Sequence, residues 1–356
     1  VVTTQLANDL MPYDHPMYVG HPGMKGDRPG NFAIQSADFV LVLGSSLHVL
    51  TTGYELDRFS PNSYKVMVEL DEAVMKREKV GVQKKIRADI GTFLSKFTRE
   101  LESRKASNLT PETWIEHCRM MKEELAVRNE PHKRVGTKPQ YYDLIEELSR
   151  HARGDETITA DAGSAFYVVG QAFRPKAKQR VIISGGLGTM GFALPAATGA
   201  AVASPGKNVI CVTGDGSLMT NIHELAVIKQ NNLNIKVIVV NNDGYVSIRN
   251  TQNNFFGGFL VGTSTSSGVF IPDLEKMTES YGLPFQKVDD VKDLSGAIEK
   301  LMEIRGPVVC EIMMHSDQDI IPTVTSMKRE DGTMESKPIH DMAPFMSPEK
   351  RSKYLL

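Results

Sequence analysis

The chain has 356 residues, 41% of them hydrophobic and 24% charged, which gives room for two or three packed domains and excludes a small disulfide-stapled scaffold. Its 41 basic and 43 acidic side chains leave a net charge of −2, no electrostatic footprint for a nucleic-acid backbone or an anionic membrane surface. No apolar run approaches the ~18 residues that cross a bilayer. Cys118, Cys211 and Cys310 lie far apart, the last two in apolar runs where a thiol packs as a small hydrophobe, and a reducing cytoplasm is the expected setting. The opening Val1-Val-Thr-Thr has no initiator methionine and none of the features of a signal peptide, so the true start is expected upstream.

Residues 38–43, Asp-Phe-Val-Leu-Val-Leu, read as a strand buried on both faces before the turn Gly44-Ser45-Ser46, and Tyr64 to Leu70 reads as another. Ile90, Leu94, Phe97 and Leu101 recur at helical spacing and predict an amphipathic helix closing a first α/β domain over residues 1–98. Charge then rises: 15 of the 36 residues from 99 to 134 are charged, and Thr110-Pro111-Glu112 supplies an N-cap with proline at the first helical position. Residues 99–135 therefore read as a solvated helical linker. From Pro139 the pattern predicts a helix at 139–152, strand 157–160, a helix from Ser164, strand 181–183 and a helix from Gly191. Strand 208–213, helix 217–230, strand 236–240, helices 272–281 and 291–304, and strand 308–313 follow. Strands alternating with helices of this length build a parallel sheet covered on both faces. The fold class is thus α/β, with two doubly wound parallel-sheet domains joined by the linker; the second spans 136–330 and an extended tail spans 331–356.

The segment Asn208-Val-Ile-Cys-Val-Thr-Gly-Asp-Gly-Ser217 runs a buried strand into a Gly-Asp-Gly-Ser turn and then a helix. Backbone N–H groups of Gly216 and Ser217 at that helix start attract phosphate, whereas Asp215 repels it unless a divalent cation lies between them. Twenty-seven residues after Asp215, Asn241-Asn242 ends the next buried strand. One strand-helix-strand crossover returns the chain to the same sheet edge, so Asp215 and Asn242 can face one ion. Magnesium takes oxygen ligands in octahedral geometry, which suits a carboxylate, an amide oxygen and the carbonyl of Gly244. Asp-Gly is also a common turn pair, so a bare turn is the competing reading of the first half alone.

Gly214-Asp-Gly-Ser217 followed by Asn241-Asn242 resembles the thiamine-diphosphate motif, and Ser184-Gly-Gly-Leu-Gly-Thr-Met-Gly-Phe-Ala-Leu-Pro195 is similar, nearly residue for residue, to the acetolactate synthase family. The resemblance covers essentially the whole chain. Residues 1–98 look like the family's central domain, with Gly20 to Gly26 matching its glycine-rich segment, and residues 136–330 look like its diphosphate-binding domain. What it implies is thiamine diphosphate and Mg2+ as cofactors, with the metal held by Asp215, Asn242 and the carbonyl of Gly244. It places Gly163, Ser164, Gly188, Gly214, Asp215, Gly216, Ser217 and Asn242 around the cofactor, and Met190 as the apolar prop that keeps it bent. Ser45-Ser-Leu-His48 stands where flavin-binding members carry Arg-Phe-Asp-Asp-Arg, so FAD is not expected. The family's pyrimidine-binding domain would precede Val1 and supplies a glutamate from a neighbouring subunit, so the isolated chain is expected to be inactive.

Beyond Asn242 the stretch from Gly244 to Arg249, and on to Gln252, leads toward a substrate pocket. Arg249 is expected to hold a substrate carboxylate bidentately and Gln252 to orient a carbonyl. The implied reaction is decarboxylation of a 2-oxo acid such as pyruvate followed by carboligation, in a homodimer or tetramer without nucleic-acid or membrane partners. Acetolactate synthases usually carry Met-Val-x-Gln-Trp here, and the single tryptophan of this chain is Trp114. A simple 2-oxo acid decarboxylase therefore stays open as an alternative, as does a non-catalytic assembly module on the same fold. His15, His21 and His48 have no metal-ligand spacing and read as surface or turn residues.

Overall fold

Asp27 opens helix α1 (Arg28–Ser36) as its N-cap, accepting from Gly30 N, while Pro29 presets the first turn. In this computed structural model, which describes residues 1–77, 80–106, 109–328, 331 and 334–356, the helix belongs to the first of two compact units. That unit comprises Val1–Gln5, Pro16–Glu130 and Ile321–Leu356. Strands β1 (Phe39–Leu43), β2 (Tyr64–Glu69) and β3 (Lys84–Arg87) pair in parallel in the order β1-β2-β3, with short helices α2 (Val49–Thr52) and α3 (Glu72–Met75) in the connections. Val40, Val42 and Met67 of the sheet pack with Ile34 of α1 and with Phe59, Val324, Ile339 and Met342. The segment expected as an extended tail thus contributes side chains to this core.

Helix α4 (Ile90–Ser103) forms where the apolar spacing predicts one, yet none of its residues is buried. Helix α5 (Glu112–Glu124) reverses the expectation for the linker. Cys118 and Met121, three residues apart on one face, are buried with Val19, Phe32, Leu125 and Tyr354, so this charged helix is solvated on one side only. Arg28, itself buried, pairs with Glu130 at 2.5 Å and donates to the carbonyls of Met342 and Pro344. His21 is no surface histidine: it is 3% exposed, within hydrogen-bonding distance of Thr3 and the Tyr18 hydroxyl, and burial pushes its pKa down to about 4.

The second unit comprises Leu6–His15 and Pro131–Ile320. Its chain order is α6 (Tyr141–His151), β4 (Thr157–Ala160), α7 (Ser164–Ala172), β5 (Arg180–Ile183), α8 (Ala193–Ala203), β6 (Val209–Gly214), α9 (Asp215–Leu218) and α10 (Glu224–Gln230). Then come β7 (Ile235–Asn241), α11 (Val246–Phe255), α12 (Leu274–Ser280), β8 (Phe285–Val288), α13 (Val291–Glu303) and β9 (Val308–Met313). The single helix expected over 217–230 is two short ones. The six strands form one parallel sheet in the order β5-β4-β6-β7-β9-β8. Residues Val209, Cys211, Val237, Val239 and Val309 face Ala193, Leu194, Ala197, Leu225 and Ile228 in its core. Because β5 lies on one side of β4 and β6 on the other, the strand order reverses between β4 and β6, which opens a crevice at their carboxyl ends. Edge strand β5 is covered by the Leu6–His15 segment, whose Asp9 accepts from Val181 N at 3.0 Å and pairs with Arg180.

Candidate functional site

Three loops leave the sheet at that crevice. The first follows β4, where the fully buried Asp161 turns the chain into Gly163, a residue at φ 71° that begins α7. The second follows β6, where Gly214 leads directly into Asp215, Gly216 and Ser217 of α9. The third follows β7, where Asn242 stands just past the last strand residue. A fourth segment, the turn before α8, brings in Gly188 and Met190. All ten residues expected at the cofactor or metal line one pocket: Gly163, Ser164, Gly188, Met190, Gly214, Asp215, Gly216, Ser217, Asn242 and Gly244.

Asp215 is completely buried, and its two oxygens accept from Gly216 N at 2.7 Å and Gly244 N at 2.8 Å. Burial pushes its pKa up to about 6, partly opposed by those N–H donors, so the carboxylate is a charge short of a counter-ion. Asn242 is 5% exposed on the same pocket wall. Gly244 has φ 97° and passes so close to Thr263 that a Cβ there would meet its carbonyl oxygen at 2.6 Å. A Cβ on Gly216 would meet the Tyr245 ring at 2.2 Å, so this glycine allows the aromatic wall to close on the loop.

Arg249 does not reach the pocket. It is 7% exposed and its guanidinium donates to four backbone carbonyls, those of Asn242 (2.9 Å), Asp243 (2.8 Å), Thr263 (3.0 Å) and Ser316 (2.8 Å). In this structure the fork is spent on fastening the loop that carries Asn242 and Gly244. Gln252 is likewise engaged, its amide donating to Val261 O and accepting from Val261 N, both at 3.1 Å, and so it braces the following loop.

Asp161 has the converse role to Arg249, which motif spacing does not reveal. Its carboxylate accepts from Ala162 N (2.8 Å), Gly191 N (2.8 Å), Ala193 N (3.3 Å) and Thr213 Oγ1 (3.1 Å). It thereby ties the β4 loop, the end of β6 and the turn that carries Met190. Sequence reasoning also missed Tyr141, which has no recognisable motif around it, and gave Ser247 no role. Both line the pocket, and both hydroxyl oxygens are buried without a hydrogen-bond partner. Such orphans in a pocket are what a ligand with oxygen acceptors would satisfy. Among the described residues no group of three or more His, Cys, Asp or Glu side chains could hold a metal ion, so a cation here would rest on a carboxylate, an amide and a carbonyl. That oxygen-only donor set suits a hard ion such as Mg2+.

The fold and the pocket define the class: a doubly wound α/β protein with a ligand crevice at the switch point of its larger sheet. Residues 161–312 match the family described as thiamine pyrophosphate enzyme, C-terminal TPP binding domain, and residues 1–97 match thiamine pyrophosphate enzyme, central domain. The chain is 28% identical over 325 residues to acetolactate synthase isozyme 1 large subunit of Escherichia coli (strain K12), covering 90% of this chain and 55% of that protein. Acetolactate synthase of Arthrospira platensis is 30% identical over 335 residues (91% and 55%), and acetolactate synthase 1, chloroplastic, of Zea mays is 28% identical over 331 residues (92% and 51%). The chain belongs to the thiamine pyrophosphate enzyme family, in its acetolactate synthase-like group. It spans about half the length of the curated relatives it matches. No helix among the described residues is long and apolar enough to cross a membrane.

Proposed function

We propose that this chain holds thiamine diphosphate through Mg2+ and serves the decarboxylation of a 2-oxo acid such as pyruvate, followed by carboligation. The observation that carries this reading is the convergence of Asp215, Asn242, Gly244 and Met190 on one pocket at the switch point. Thiamine diphosphate, when bound, supplies the carbon nucleophile and the electron sink for the decarboxylation. The protein's part is positional. Asp215, Asn242 and the Gly244 carbonyl would hold the metal, whose charge would relieve the buried carboxylate. The Gly163–Ser164 loop and Ser217 would bring backbone N–H groups to the diphosphate, and Gly188, at φ 61°, allows the turn before Met190. Met190, which lines the pocket on a turn held by Asp161, would prop the cofactor. We further propose a homodimer or tetramer, supported by Phe255, Phe256, Phe259 and Phe270, all large apolar side chains left exposed in the second unit.

Calorimetric titration of the chain with Mg2+ and thiamine diphosphate tests the reading. The expected result is Mg2+-dependent binding that Asp215→Ala abolishes; equal affinity in that variant would overturn it. A simple decarboxylase is the second reading, favoured by the engagement of Arg249 and Gln252 within the fold. Product analysis with the pyrimidine-binding domain supplied separates the two: acetolactate from pyruvate supports carboligation, and acetaldehyde alone supports the simpler reaction.

A further inference from the structure

Tyr141 is the first residue of α6, contributed by a helix that none of the three strand-end loops includes. It is 3% exposed, lines the same pocket as Asp215 and Gly163, and leaves its hydroxyl buried without a partner. A polar atom taken out of water and given nothing in return costs stability, so its retention calls for a partner that arrives later. The two buried carboxylates whose charges act on Tyr141 are engaged by other donors. The Asp161 carboxylate receives four donors and that of Asp215 two, and neither set includes Tyr141.

The phenol is also fixed as a donor. Burial, with the charges of Asp161 and Asp215 behind it, pushes its pKa well above the ordinary value of 10, so the proton stays on oxygen. Ser247, the other orphan of the pocket, turns about one bond to find a partner; a ring packed in the core offers its O–H in one place. Gly163 and Ser164, at the start of the nine-residue helix α7, line the same pocket and offer N–H groups to an anion. We infer that Tyr141 is an additional ligand-binding residue, donating its hydroxyl to a diphosphate oxygen of the bound cofactor, an inference that rests on the proposed function.

The test uses two probes on the full 356-residue chain, inorganic pyrophosphate and thiamine diphosphate, each titrated calorimetrically with Mg2+ present. Tyr141→Phe should weaken both by roughly tenfold, as expected for losing a hydrogen bond to a charged group. Its melting temperature without ligand should be unchanged or higher, because the hydroxyl has no partner to lose. Tyr142→Phe serves as the control: Tyr142 donates to Gln171 at 2.6 Å, so this change should lower the melting temperature and leave both affinities alone. Wild-type affinity for pyrophosphate in Tyr141→Phe would overturn the inference while leaving the proposed function standing. Failure of the wild-type chain to bind either probe would overturn both.

Discussion

Replacing Arg249 by Met removes the guanidinium while keeping most of the side chain's length and apolar stem. Four carbonyls, of Asn242, Asp243, Thr263 and Ser316, then lose donors at 2.8–3.0 Å. Each unsatisfied buried group costs about 1–3 kcal/mol, but the loop can partly rehydrate, so the terms do not add and a total of about 3–5 kcal/mol is expected. The loss should be local before it is global. Gly244 N donates to Asp215 and Tyr245 N to the Thr263 carbonyl, both inside the loop that Arg249 fastens. Amide exchange at these two positions should accelerate roughly a hundredfold or more, the equivalent of about 3 kcal/mol, while amides in β6 and β7 change less. Arg249→Lys should fall between, since an ammonium has three donors and no planar fork to span four carbonyls. Native-state hydrogen exchange followed by mass spectrometry reads this directly. Unchanged protection at Gly244 and Tyr245, combined with a raised KM for a 2-oxo acid, would refute the argument and restore Arg249 as a substrate anchor.

Asp161→Asn keeps the shape but turns an amide NH2 toward N–H donors, so the turn at Gly191 and Ala193 should loosen; Mg2+-dependent cofactor affinity should fall about tenfold or more, and calorimetry checks it. In the first unit, burial lowers His21 from 6.5 to about 4 and raises Asp27 from 3.8 to about 7. The His21 contribution is fully present above its unfolded pKa and is lost as pH falls toward 4; that of Asp27 is fully present below its own and is lost as pH rises through 7. The two oppose each other, so stability of this unit should be nearly flat between those values, whereas Asp27→Asn should leave a stability that climbs from about pH 4 to 6.5. Melting curves across that range measure the slope, and a flat profile in the variant would count against the assignment.

What could be read from the sequence was whatever local chemistry decides. A run such as Val209 to Thr213 must be a buried strand, and Gly-Asp-Gly-Ser after it must turn at the strand's carboxyl end, so the Asp215 and Asn242 positions follow from spacing. Strand β8 escaped because Phe285-Gln-Lys-Val is short and sits at the sheet's edge, only its last residue buried, which leaves no apolar signature. Helix α11 escaped for a related reason. Val246-Ser-Ile-Arg-Asn-Thr-Gln-Asn-Asn-Phe has no apolar stripe, and only Val246 and Arg249 of it are buried. The stripe of α4 was read correctly as a helix, yet periodicity states which face is apolar and not whether anything covers it. In α5 the reverse happened: the density of charge hid Cys118 and Met121, whose partners lie far away in sequence.

Arg249 and Asp161 show why the site's support was less legible than its ligands. Loops that leave a parallel sheet have backbone groups with no strand to pair with, and burial around a crevice forbids leaving them bare. The N–H groups of residues 162, 191 and 193 are gathered by one buried anion, and the carbonyls of residues 242, 243, 263 and 316 by one buried cation. The two side chains are chemical opposites because one set of orphans are donors and the other acceptors. Both reach partners 30 or more residues away, at Gly191 and Ser316, contacts that spacing within a motif cannot announce. A buried charge held by this many hydrogen bonds stays put only if its partners do, so each ion makes its loops move together or not at all. The pocket between them is therefore shaped before a ligand arrives, which limits the ordering cost that binding would otherwise carry. In such a site a substitution at Asp161 or Arg249 should be felt at Met190 or Asn242, although neither charged side chain lines the pocket.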